Sequence, residues 1–120
     1  MRGLTILVVA ADPERFHAAL TYAAAAAATG CPVQVHLHEA AVALLRSPMA
    51  APSDADRADA GIPTLAQIFD DALSLGVAMT ICQSGLALAR LQLDRLDPRL
   101  EPQGPVGLLA ALGDARLLVF

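Results

Sequence analysis

Four short apolar runs are spread along the chain: LTILVVA (4–10), PVQVHLH (32–38), VAMTI (77–81) and ARLLVF (115–120). Each is the length of a strand and rich in β-branched or aliphatic residues. LTILVVA is apolar without alternation, which is the pattern of a strand buried on both faces. Between the runs the sequence turns helical. Asp12 caps a segment with Pro13 at its first position and Glu14 at its positive end, and this helix stops at Gly30. EAAVALLR (39–46) is a short helical stretch. PTLAQIFDDALSLG (63–76) begins at a proline and ends at a glycine, with Leu65, Ile68, Phe69, Ala72 and Leu73 on one stripe. SGLALARLQLDRL (84–96) reads as mostly helix. A turn-rich stretch with a short strand around Leu100 follows, and then another Pro-started, Gly-ended helix in PVGLLAALGD (105–114). Strand alternating with helix makes a parallel sheet with right-handed crossovers and helices on both faces. The expected fold is one α/β domain spanning 1–120. SPMAAPSDADRADAG (47–61) breaks the pattern. It shows no period and reads as a mobile loop.

Composition narrows the function. The net charge is −4, all eight basic residues are Arg, and there is no basic stripe and almost no aromatic content, which argues against nucleic acid. About a fifth of the chain is alanine, so Ala, Leu and Val must build the core. The longest uninterrupted apolar stretch falls short of a membrane span. The first run follows Arg2 like a signal peptide but ends at Asp-Pro-Glu with no small-residue cleavage site. A cytoplasmic protein with free thiols is expected, because its two cysteines, Cys31 and Cys82, are far apart and form no C-x-x-C pair.

The chemistry-bearing residues gather at expected strand ends. In open α/β sheets, ligands bind at the carboxyl ends of strands. Cys82 lies at such an end and just before a helix, where unpaired backbone N–H groups favour a thiolate. Gln83, Ser84 and Gly85 supply small or polar neighbours, and Gly85 permits close approach. The alternative is a buried structural thiol, since free cysteine is a common core residue. Cys31, at the amino end of a strand, reads as a loop or core residue. His36 and His38 share a strand face that ends on the side of Cys82. They either assist a thiolate and bind anions when protonated, or cap the strand and meet a neighbouring subunit. His17, inside the first helix, reads as a solvated or interface residue. Asp12 is first a helix cap and second an acid. Asp70 and Asp71 are adjacent on a helix and do not face each other. There is no Gly-rich phosphate loop and no G-x-S-x-G elbow, and two His with one Cys make only a weak metal signal, so no metal and no cofactor are expected.

Three segments carry a family resemblance: ILVVAADPERFHAALTYAAAAAATGCPVQVHLHEAAVALL, LAQIFDDALSLGVAMTICQSGLAL and GLLAALGDARLLVF. With them the whole chain resembles the DsrE/DsrF-like family of small α/β proteins with the YchN-like fold. The resemblance implies a three-layer α/β/α domain with a mostly parallel sheet of about five strands. It also implies a homo-oligomer, commonly a trimer or hexamer. In sulfur-relay members the cysteine at this junction carries a persulfide passed between donor and acceptor proteins, and Cys82 matches that position. Two functions follow. One is a persulfide carrier or sulfurtransferase-like subunit using Cys82. The other is a non-catalytic oligomeric binding module in which Cys82 is structural.

Overall fold

The computed structural model describes residues 1–120. Its five strands are β1 (Leu4–Val8), β2 (Val33–Leu37), β3 (Ala78–Ile81), β4 (Leu100–Pro102) and β5 (Arg116–Val119). They lie in the order β4-β3-β2-β1-β5, and every neighbouring pair is parallel. The helices are α1 (Pro13–Ala28), α2 (Asp54–Asp59), α3 (Leu65–Ser74), α4 (Gln83–Ala89) and α5 (Pro105–Leu112), with 3₁₀ turns at Glu39–Leu45 and Leu93–Arg95. No helix is long and apolar enough to cross a membrane.

Period-two alternation divides the sheet into two unlike faces. Ile6, Val8, Val35, Leu37, Met79 and Ile81 are sealed on one face within a single cluster that includes Phe16, Ala19, Leu20 and Ala23 of α1 and Leu65, Phe69, Ala72 and Leu73 of α3. The rings of Phe16 and Phe69 meet at 6.3 Å between centroids, joining the two helices. The alanines of α1 let it lie close to its neighbours without larger side chains. The other face carries Thr5, Gln34, His36 and Thr80. The β1-to-β4 connections run one way across the sheet and the β4-to-β5 connection runs back, so right-handedness assigns α5 to this polar second face.

Capping chemistry places the helix starts as expected. Asp12 Oδ1 accepts from the Glu14 N–H at 2.9 Å, and Thr64 forms a reciprocal capping box with Gln67. Three expectations need correction. The helix expected over 84–96 stops at Ala89, because Arg90 turns left-handed (φ 55°). The Leu91 N–H then reaches back to the Leu86 carbonyl at 3.0 Å, closing a Schellman-type end. Arg46 Nη2 also donates to the Ala89 carbonyl at 2.6 Å. The aperiodic segment 47–61 contains α2, a helix with no buried residue. Tertiary bonds hold it: Glu14 accepts from the Ser53 N–H at 2.9 Å, Asp54 accepts from the Ala51 and Leu65 N–H groups at 2.9 Å each, and Arg57 pairs with both carboxylates. His17 is not solvated. It is buried, and its Nε2–H donates to the Pro63 carbonyl at 2.9 Å, tying α1 to the approach of α3.

Candidate functional site

β3 ends at Ile81, and Cys82 is the N-cap of α4. Its backbone N–H still belongs to the sheet, donating to the Leu37 carbonyl at 3.2 Å. Its sulfur serves the helix. Sγ accepts from the Gly85 N–H at 3.3 Å and from the Glu39 N–H at 2.9 Å, and the Ser84 hydroxyl lies 3.5 Å away. Three donors therefore converge on one sulfur. α4 has only seven residues, so these individual hydrogen bonds, not a long macrodipole, set the local electrostatics.

Two backbone features make the convergence work. Glu39 has φ 43°, a left-handed conformation costly for a residue with a side chain, and its N–H meets the sulfur at that turn. Gly85 lets α4 lie against the 3₁₀ turn. A Cβ there would collide with the Val42 side chain and sit 2.8 Å from the Glu39 carbonyl oxygen. The glycine thus brings the second donor within reach.

Cys82 borders a pocket of about 420 Å³, with residues 82–84 on one wall and residues 102–105 on the other. Every lining side chain is uncharged. Cys82 itself is only 3% exposed, so the pocket is its contact with the outside.

Compared with solved structures, the chain matches the crystal structure of YchN from E. coli over 100% of both chains, with a TM-score of 0.77 and 18% identity. The chain has the YchN-like fold. No protein-family model matches the sequence, and no curated protein resembles it significantly.

In this YchN-like chain the expected site residues separate into two groups. Cys82, Gln83, Ser84 and Gly85 come together as one unit at the strand end, with Gln83 and Ser84 exposed and Gly85 buried. The side chains of Asp12, His36 and His38 make their polar contacts elsewhere. Asp12 spends its carboxylate on the first turn of α1. His36 is fully buried, and its Nδ1 lies 2.8 Å from Thr80 Oγ1. Burial, reinforced by the nearby His38, holds its proton affinity below the usual histidine range. His36 is therefore a neutral core residue near pH 7, not an anion-binding cation. Its Nε2 is buried without a partner. His38 is partly exposed, and its Nε2 lies 3.2 Å from Glu39 Oε1. It makes no hydrogen bond to Cys82. Cys31 borders a separate pocket of about 270 Å³ at the amino end of the sheet, and its thiol donates to the Arg2 carbonyl at 3.2 Å. The structure assembles no cluster of three or more His, Cys, Asp or Glu side chains able to hold a metal.

Sequence reasoning missed Glu39 and Gln103. The Glu39 contribution is a backbone N–H in an unusual conformation, for which a glutamate gives no signal. Gln103 follows β4 and precedes a Pro-started helix, so the strand-end rule that selects Cys82 selects it too.

Proposed function

We propose that this YchN-like chain is a sulfur carrier whose working atom is Cys82 Sγ. The observation that carries the reading is the convergence of the Glu39 and Gly85 N–H groups and the Ser84 hydroxyl on that sulfur beside an open pocket. These donors fix the position of the sulfur, and a cysteine thiolate is the nucleophile in thiol exchange. The Cys82 thiolate attacks the outer sulfur of an incoming hydropersulfide, R–S–SH. The donor's S–S bond breaks as the new one forms, leaving a Cys82 persulfide and a released R–S⁻ thiolate. An acceptor thiolate then attacks the outer sulfur and returns Cys82 to its starting state. No outside oxidant or reductant is consumed in either transfer. Free thiols at both cysteines suit a reducing compartment, and the cytoplasm is the proposed location.

Intact mass after incubation with a hydropersulfide tests the reading. The expected adduct is one sulfur atom, roughly 32 Da, present in the Cys31→Ala variant and absent in Cys82→Ala. No adduct on the unaltered chain, or an adduct that survives Cys82→Ala, overturns it.

The competing reading, an oligomeric module with a structural thiol, draws on the low exposure of Cys82. Native thiol titration separates the two. Prompt modification of Cys82 through its pocket fits the carrier, and inertness until unfolding fits the module.

We also propose that the working form is a homotrimer or homohexamer. Val106 and Leu109 of α5 are 83% and 62% exposed in a single chain, and all four residues of the edge strand β5 lie open. A helix apolar on every side requires cover, and a second copy of the same surface supplies it.

A further inference from the structure

The polar second face of the sheet is not idle around the pocket. Gln34, in the middle of β2, uses both hydrogens of its side-chain amide. One goes to Thr80 Oγ1 at 3.0 Å and the other to Gln103 Oε1. Thr80 Oγ1 is also 2.8 Å from His36 Nδ1. Thr80 and His36 are buried, and Gln34 and Gln103 are partly so. A four-residue chain of hydrogen bonds therefore runs from the sheet interior to Gln103, which lines the pocket opposite Cys82. With Gln103 Oε1 committed to Gln34, the amide nitrogen must occupy the other side of the group, and it donates to no protein atom.

We infer that Gln103 is a specificity-determining residue of the Cys82 pocket, presenting its two N–H donors to the incoming sulfur compound, and that Gln34, Thr80 and His36 are positioning residues that hold its orientation. The donor class this selects carries an anionic group beside the sulfur to be transferred: a hydropersulfide R–S–SH whose R group bears a carboxylate, leaving as R–S⁻, or a thiosulfonate R–SO2–S⁻, which gives up its outer sulfur and leaves as the sulfinate R–SO2⁻. An uncharged amide recognises such a group without clamping it. No guanidinium lines the pocket to trap an anion, and no carboxylate lines it to repel one. This rests on the proposal that Cys82 is the reacting thiol, but its test does not require sulfur transfer.

The probes are iodoacetate, which is anionic, and iodoacetamide, which is neutral and nearly the same size. Their rates of alkylating Cys82 are measured by mass spectrometry in a Cys31→Ser background. The ratio of the two rates cancels any change in thiolate fraction and reads only how the pocket treats charge. Gln103→Glu keeps the acceptor for Gln34 and replaces the donors with negative charge. The expected result is a fall of about tenfold in the iodoacetate-to-iodoacetamide ratio, the size of a like-charge contact at intermediate dielectric. Gln34→Met, which frees Gln103 to rotate without adding charge, lowers the ratio by about threefold, the worth of the one orienting hydrogen bond removed. A ratio unchanged in both variants overturns the inference, as does a uniform fall in both rates. A normal ratio shift in a protein that never acquires sulfur sinks the carrier reading and leaves Gln103 in its role. Sulfur loading with an unmoved ratio does the reverse.

Discussion

At the scale of single residues, the site is a competition between local cost and electrostatic gain. Glu39 accepts a left-handed backbone where its N–H meets Cys82 Sγ. Ser84 contributes the longest of the three contacts. Ser84→Ala is expected to slow Cys82 alkylation at pH 7 by about threefold, the worth of one weak hydrogen bond. An unchanged rate removes Ser84 from the site. His36 titrates in the opposite sense to an ion-paired histidine. Its folded-state proton affinity is lowered, so the unfolded chain takes up the proton first, and stability falls as pH drops below about 6.5. His36→Asn keeps a polar partner for Thr80 and cannot titrate. The urea midpoint of that variant is expected to vary less between pH 6.5 and 5 than that of the parent chain. Equal slopes refute the assignment.

At the scale of elements, two contacts join segments that are distant in sequence. α4 meets the Glu39–Leu45 turn through Gly85, and there is no room for another carbon. Gly85→Ala is expected to destabilise the fold by about 1–3 kcal/mol, the usual cost of overpacking, measured by denaturant unfolding. It also slows Cys82 modification, because α4 must move away from Glu39. A neutral effect on both measurements would mean that α4 is loosely held. The second contact is the clasp on α2. Backbone N–H donation from Ser53, with Arg57 beside it, lowers the proton affinity of Glu14. Donation from Ala51 and Leu65, again with Arg57, does the same for Asp54. Both carboxylates therefore support the clasp above their unfolded values near pH 4, and that support is lost as pH falls below about 4. Pepsin at pH 3 is expected to cut within 50–61 before the rest of the chain, and Arg57→Ala raises the pH at which this segment opens. Cleavage spread evenly over the chain contradicts the clasp.

At the scale of the whole molecule, the fold divides its labour between a closed face and an open one. The α1–α3 face is sealed by aliphatic and aromatic side chains. α5 and β5 leave Val106, Leu109, Leu117, Leu118 and Val119 in contact with solvent when the chain is alone. Apolar area of that kind is stable in water when copies cover it. Light scattering is expected to give a multiple of the 12.4 kDa chain mass, and the double change Leu109→Arg with Leu118→Arg is expected to return a folded single chain. A monomeric parent protein would end the oligomer proposal.

The order of strands and helices was readable because it depends on local pattern. Aliphatic runs, an Asp-Pro start at α1 and Pro-started, Gly-ended helices mark their own boundaries, and alternation of strand with helix compels parallel pairing. The place of Cys82 between a strand and a helix was readable for the same reason, since it depends on neighbouring residues alone. What surrounds its sulfur was not. The Glu39 N–H is separated from Cys82 by 43 positions, the Gln34 amide from Gln103 by 69, and α2 is held by carboxylates that no periodicity reveals. His36 and His38 share a strand face in the sequence, yet packing leaves one neutral in the interior and the other at the surface beside Glu39. Periodicity encodes which way a side chain points. Only the folded chain decides which distant donor, charge or cavity it points toward.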